Sequence, residues 1–136
     1  MIYEFEILGP VIGKGRPRVN TYTNIVYTPT KTKEYESLIQ QYFLLKYPRY
    51  IPIEKRIYIE IVAQFKVPKG TSKANTEKML NGEISPTKKP DIDNIVKIIL
   101  DALNKLAFKD ANQITKLSID KIYGKEDKVY VKIEEY

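Results

Sequence analysis

The 136-residue sequence predicts a single α+β domain, a mixed β-sheet with helices packed on it. Two observations carry that prediction. The length suits one domain, and a chain of this size buries roughly 68% of its unfolded surface, enough for a core without a disulfide or metal staple. Apolar residues alternate with period two near both ends and in the middle of the chain, and recur with helical period between those stretches. The resulting order is strand, small hairpin, helix, strand, short helix, helix, strand, strand, which suits a mixed sheet with helices against it. No internal repeat, low-complexity tract or second domain interrupts it.

Each element has its own signal. Residues 2–8, IYEFEIL, alternate and predict a strand. GPVIGKGRPRV carries three glycines and two prolines and reads as a loop. TYTNIVYT predicts a small hairpin turning at Thr23–Asn24. A helix is expected from Thr28–Thr30, with a hydroxyl as cap and Pro29 in the first helical position. Its stripe is Tyr35, Leu38, Ile39, Tyr42 and Phe43, and Pro48 ends it. RIYIEIVAQFKV is the cleanest strand, with Ile57, Ile59, Ile61, Ala63, Phe65 and Val67 on one face. A short helix is expected over Ala74–Leu80, stopped by Asn81-Gly82. A longer one is expected from Asp91 to Leu106. Two final strands, QITKLSIDKIY and KVYVKIEE, are joined by the turn GKED.

Composition narrows the chemistry. The chain has neither cysteine nor histidine. Disulfides, thiol nucleophiles, zinc ribbons and iron–sulfur clusters are excluded, as is imidazole as base or metal ligand. Hydrolysis would have to use carboxylates, lysines, tyrosines and hydroxyls, and carboxylates suit hard cations such as Mg²⁺ or Mn²⁺. A net charge of +6 leans towards a polyanionic partner. No leader-like segment and no run of about 20 apolar residues is present, so the expected location is cytoplasmic, with no membrane partner.

The segment KKPDIDNIVKIILDALNKLAFKDANQI, Lys88 to Ile114, concentrates the acids. As a cap, the Asp91 carboxylate accepts first-turn amide hydrogens, and Asp93 favours the helix dipole; that reading needs no function. Against it, the helix is apolar nearly all round, which predicts burial, and its polar members Asp93, Asn94, Lys97, Asp101 and Asn104 form a narrow stripe. Buried charges need partners or a metal. Lys97 is four residues from both Asp93 and Asp101, as a structural ion pair or as a group for a phosphate oxygen. In GKGRPR, an extended backbone points Lys14, Arg16 and Arg18 the same way, and glycines let backbone amides approach a ligand; a solvated loop is the alternative. Lys88 and Lys89 add charge beside Asp91.

KGRPR in an early loop, YTPTKTKEYE leading into a helix, then KPDIDNIVKIILDAL and FKDANQI together resemble the RusA family of Holliday junction resolvases. The likeness runs from about residue 9 to 123. These are phage-associated, homodimeric, Mg²⁺-dependent endonucleases that cut four-way DNA junctions. The resemblance implies a RusA-like homodimer that binds branched DNA. It implies Asp91 and Asp93 as the first two catalytic, metal-binding acids and Lys97 as the functional lysine. Lys14, Arg16, Arg18, Lys88 and Lys89 are the corresponding candidates for DNA contact.

The family's later loop reads aspartate–aspartate–any–glutamine, whereas this chain has Asp110, Ala111, Asn112 and Gln113. Asp110 is kept as a catalytic and metal-ligand candidate, and Ala111 stands where a ligand is usual. Three readings follow: a substitution made by design, a homologue that binds junctions without cutting, or Asp110 in the vacated role. A site short of one carboxylate should hold Mg²⁺ more weakly. Reach adds an expectation. A helix from Asp91 to Leu106 spans roughly 22 Å, too far for Asp110 to return through residues 107–109 at about 3.5 Å each. The helix must bend or end early, or the partner subunit completes the site. The alternatives to a resolvase are a non-cleaving structure-specific DNA-binding protein, indifferent to Mg²⁺, and a structural protein with a solvated basic loop.

Overall fold

The structure, a computed structural model, describes residues 1–136. It is one α+β unit, as expected: a four-stranded mixed sheet with helices against one face and a two-stranded ribbon beside them. The strands are β1 (Ile2–Leu8), β2 (Arg18–Val19), β3 (Val26–Tyr27), β4 (Ile57–Lys66), β5 (Ile114–Gly124) and β6 (Lys128–Glu135). The helices are α1 (Thr30–Lys46), α2 (Lys73–Leu80) and α3 (Ile92–Leu103). No helix is long and apolar enough to cross a membrane.

The alternating segments become strands because each presents one apolar face to a common core. Ile57, Ile59, Ile61, Ala63 and Phe65 are buried along β4, and Tyr3, Phe5 and Ile7 along β1. From α1, Tyr35, Ile39 and Phe43 descend onto this face, and Ile95, Ile98, Ile99, Ala102 and Leu103 of α3 meet it beside them. Phe43 is a hub, edge-on to Tyr3, Phe5 and Tyr50 at 5.3–5.7 Å between ring centres.

Strand order is β1-β6-β4-β5. β4 and β5 run parallel, the crossover carrying α2 and α3, whereas β6 runs antiparallel to both β1 and β4. The last two strands, consecutive in sequence, are therefore not neighbours, and the chain turns across the end of β4. That turn is held by the Gln64 side chain on the Glu126 carbonyl (2.9 Å) and by Asp127 on the Lys66 amide (2.9 Å). Gly124 leaves room for that glutamine: a Cβ would fall 2.2–2.6 Å from the Gln64 side chain and displace it from the turn. β5 is left as a sheet edge.

Two local expectations are corrected, and the small hairpin expected to turn at Thr23–Asn24 is present with its first arm earlier in the chain. Pro29 is the residue before α1 and not its first helical residue, and no hydroxyl caps that helix; φ −55° with ψ 144° at Pro29 is the extended geometry of a cap position. The ribbon pairs Arg18 with Tyr27 and Val19 with Val26, and its left-handed residue is Asn24. Finally, α3 is not buried all round and stops at Leu103 rather than Leu106. Ile92 is 45% exposed, and Val96 and Leu100 are half-buried. Asp93 and Lys97 are exposed and Asn94 and Asp101 half-buried, so the charges of the stripe are not trapped in a core; Asn104, at the end of the helix, keeps a buried Oδ1 without a partner.

Candidate functional site: the start of α3 and the basic loop

Asp91 occupies the cap position of α3 by backbone geometry, φ −68° and ψ 153°, yet its side chain accepts no capping hydrogen bond. The capping explanation of this carboxylate is thereby removed. Asp91 and Asp93 are both exposed, and within the chain neither carboxylate is among the hydrogen-bond or ion-pair partners of any group. They stand close together on the positive end of the helix dipole, where negative charge is favoured.

The basic loop is laid against this helix start by close packing. Gly13 sits on Pro90 and Asn94, where an added Cβ would lie 2.7 and 3.1 Å from their Cβ atoms. The Lys14 amide donates to the Asn94 carbonyl at 2.9 Å. Gly15 donates its amide to the hydroxyl of Thr32, the one buried polar side chain of the core, at 2.9 Å. The glycines of GKG are thus explained by the approach of the loop to α1 and α3, which corrects the expectation that they free amides for a ligand.

Lys14 also departs from the expected row of three cations. Its ammonium is held by Glu36 of α1 and by Asp101 of α3, the latter at 3.1 Å. Burial opposes its charge, but hydrogen bonds and Coulombic attraction from Glu36 and Asp101 prevail and raise its pKa. Asp101 also holds Lys97 at 3.3 Å, one turn back; Asp93 does not pair with that lysine. Arg16 and Arg18 remain unpaired and exposed, Arg18 on the ribbon. An open polar cleft of about 500 Å³ results, lined by Lys14, Arg16, Asp93, Asn94, Lys97 and Asp101 among others. A smaller recess beside it is bounded by Gly13, Lys14, Lys89, Pro90, Asp91 and Asn94. The structure therefore brings together Asp91, Asp93, Lys97, Lys14, Arg16 and Lys89.

It does not bring Asp110 to them. Phe108 bridges to Asn104, just past the end of α3, which is about 20 Å along the axis from Asp91 at 1.5 Å per residue. Two further residues span at most about 7 Å. Asp110 instead caps a single 3₁₀ turn, Ala111–Gln113. Its carboxylate accepts the Asn112 amide at 3.0 Å, while the Gln113 side chain accepts the Asp110 amide at 2.7 Å. Gln113 also donates to the carbonyls of Ile53 (2.8 Å) and Lys55 (2.9 Å), so it staples this turn to the segment before β4. Ala111 lines a groove of about 450 Å³ along α3 with Ile92, Val96, Leu100, Leu117 and Ile119, and Asp93, Lys97 and Asp101 border the same groove. The early end of α3 is therefore real, but it does not solve the problem of reach.

Free carboxylates at 91 and 93 suit a hard cation. No group of three or more acidic side chains within the chain is spaced to hold a metal.

Glu36 and Lys121 do not stand out in the sequence. Lys121 of β5 donates to the carbonyls of Lys88 and, at 3.0 Å, Pro90. A signal is nevertheless present: Leu117, Ile119, Lys121 and Tyr123 share one strand face by period two, and the lysine is the odd member of an apolar row.

The fold and cleft describe an α+β protein with bare aspartates beside an open polar cleft that also carries Arg16 and Lys97. Residues 9–134 match the family described as endodeoxyribonuclease RusA, and the chain belongs to that family. It is also 34% identical over 139 residues to YqaN, an uncharacterized protein of Bacillus subtilis (strain 168), across 97% of this chain and 95% of that protein.

Proposed function

We propose that this chain is a RusA-type endonuclease for four-way DNA junctions, dependent on Mg²⁺ (or Mn²⁺), with each active site shared between two copies and weakened by Ala111. The observation that carries the reading is the distance inside one chain. Bare Asp91 and Asp93 lie at one end of α3, and the Asp110–Ala111 turn lies at the other.

Topology supports completion by a second copy. β5 is a sheet edge and runs opposite to α3, since Lys121 reaches Pro90 while Ala111 shares a groove with Leu100. Edges invite pairing. Two β5 edges joined antiparallel about a two-fold axis bring the start of one β5 beside the end of the other, and so beside Asp91. Ile92, Leu117 and Ile122, exposed at 45, 43 and 39%, would be covered. A C2 dimer also presents two sites in matching orientation to a nearly two-fold junction.

Asp91 and Asp93 would hold the cation, which when bound activates water and stabilises charge on the scissile phosphate. Lys97, steadied by Asp101, neutralises a phosphate oxygen. Arg16, Arg18, Lys88 and Lys89 grip the backbone by charge. Lys14, occupied by Glu36 and Asp101, braces the loop that carries the arginines.

The test uses a labelled synthetic four-way junction with Mg²⁺, comparing this chain with Ala111→Asp. Tight binding without cutting by the first, and paired symmetric nicks by the second, are expected. Equal nicking by both refutes the role given to Ala111. No preference for the junction over linear duplex refutes the junction reading, and binding by both without nicking by either favours a non-cleaving DNA-binding protein.

A further inference from the structure

We infer that Lys121 is a positioning residue for Asp91: its ammonium clamps the 88–90 backbone and so fixes where the Asp91 carboxylate stands. The inference rests on the proposed nuclease site and adds to it a residue from a different element.

Lys121 enters from β5, on the strand face shared by Ile119 and Tyr123, both packed against the core. Its ammonium donates to two carbonyls, those of Lys88 and Pro90, which flank Lys89 and end at the peptide leading into Asp91. The same ammonium lies 5.4 Å from the centre of the Phe65 ring, over which the Lys88 ammonium also sits at 5.5 Å. Phe65 is 6% exposed, so the ring gives the cation an ordered apolar seat. No carboxylate pairs with Lys121. A lysine at such a position needs partners for its donors, and here it finds them only in this segment.

The consequence for Asp91 is geometric. The helix does not fix its carboxylate, because no capping bond is made. On one side the segment before it is confined by Gly13 against Pro90. On the other it is held by Lys121. Metal ligands act through orientation imposed by the groups behind them. Releasing one side leaves Asp91 in place on average but loosely aimed, which costs cation affinity and turnover more than DNA binding.

Two measurements test this. In the unmodified chain, without DNA or metal, hydrogen exchange of the Ile95 amide, which donates to the Asp91 carbonyl at 3.1 Å in the segment leading into α3, is compared with that of Lys121→Met and Lys121→Arg. At least tenfold faster exchange confined to this segment is expected for Lys121→Met, with partial restoration by arginine. Exchange within twofold of the parent overturns the clamp. In the Ala111→Asp background, Lys121→Met is expected to raise the Mg²⁺ concentration for half-maximal nicking by tenfold or more and to lower kcat. Junction affinity measured without metal should change less than threefold. Half-saturation and kcat within twofold of the parent overturn the positioning role. Should the Ala111→Asp parent not nick, the nuclease reading fails and the exchange result alone decides the clamp.

Discussion

Replacing Gly13 with alanine sets two effects of opposite sign against each other. Gly13 is not among the residues with positive φ, so alanine is tolerated by the backbone there, and a glycine-to-alanine change of that kind stabilises by about 0.4–1 kcal/mol through the unfolded chain. The new Cβ, however, would stand 2.7 Å from Pro90 Cβ and 3.1 Å from Asn94 Cβ. Those atoms belong to a ring and to the first turn of α3, neither of which can swing aside as a flexible side chain would. Overpacking costs typically about 1–3 kcal/mol. The net expectation is destabilisation by about 0.5–2 kcal/mol, measured as a lowered urea midpoint at constant slope. Junction binding should weaken as well, because the loop moves away from α3 and carries Arg16 with it. Gly82→Ala is the comparison: φ is +89° with nothing within 4 Å, so strain alone should destabilise it while leaving binding untouched. A stabilised Gly13→Ala protein would show that the loop does not pack on Pro90 as described and would remove the stated reason for the glycine.

Four other outcomes are expected. Lys14→Met should lower stability by about 1 kcal/mol after allowing for solvent screening. Because the folded pKa of Lys14 is raised, its contribution is complete below the unfolded lysine value of about 10.4 and fades as pH rises through the folded value. The difference between the two proteins should therefore be equal at neutral and mildly alkaline pH and shrink only above that range, by denaturant titration. Gln113→Ala should cost about 1–3 kcal/mol, since three hydrogen bonds end on that side chain; a loss below about 0.5 kcal/mol, the low end for a single hydrogen bond, would contradict the staple. Arg16→Ala with Arg18→Ala should reduce the slope of log affinity against log salt by about 0.9 for each phosphate no longer neutralised, read by fluorescence anisotropy. Last, the unmodified chain mixed with Ala111→Asp carrying Asp93→Asn should yield single nicks that neither gives alone, if the introduced carboxylate serves the other subunit's Asp91 and Asp93; continued silence of the mixture would put each site inside one chain.

Much of the fold is legible in the sequence because local patterns and tertiary burial agree. β1, β4 and α2 lie where alternation, helical period and the Asn81–Gly82 stop put them, within a residue or so. Their signals are short-range, and nothing elsewhere in the chain competes with them. The end of α3 is not legible, because Leu106 and Ala107 continue an apolar run. The structure uses those residues to turn back, with Leu106 and Ala107 amides on the Leu103 carbonyl at 3.0 Å and Lys105 in the left-handed region. The pairing of β6 with β1 and β4 rather than β5 is equally invisible, since strand order is a choice among long-range partners.

By itself the sequence determined the class of fold, the absence of imidazole and thiol chemistry, the acid pair at 91 and 93, and the alanine at 111. These follow from residue identity and near-neighbour spacing. Only the tertiary structure decided which of those charges are free. Lys14 belongs to the same run of cations as Arg16 and Arg18, yet Glu36 and Asp101 claim it. Asp91 has the sequence signature of a cap, yet its carboxylate caps nothing. Asp110 is nineteen residues from Asp91 in sequence, yet a rigid helix holds the two apart. A charge is neutralised or left free by what meets it in space, and for Lys14 and Lys121 those partners lie 22 or more residues away along the chain.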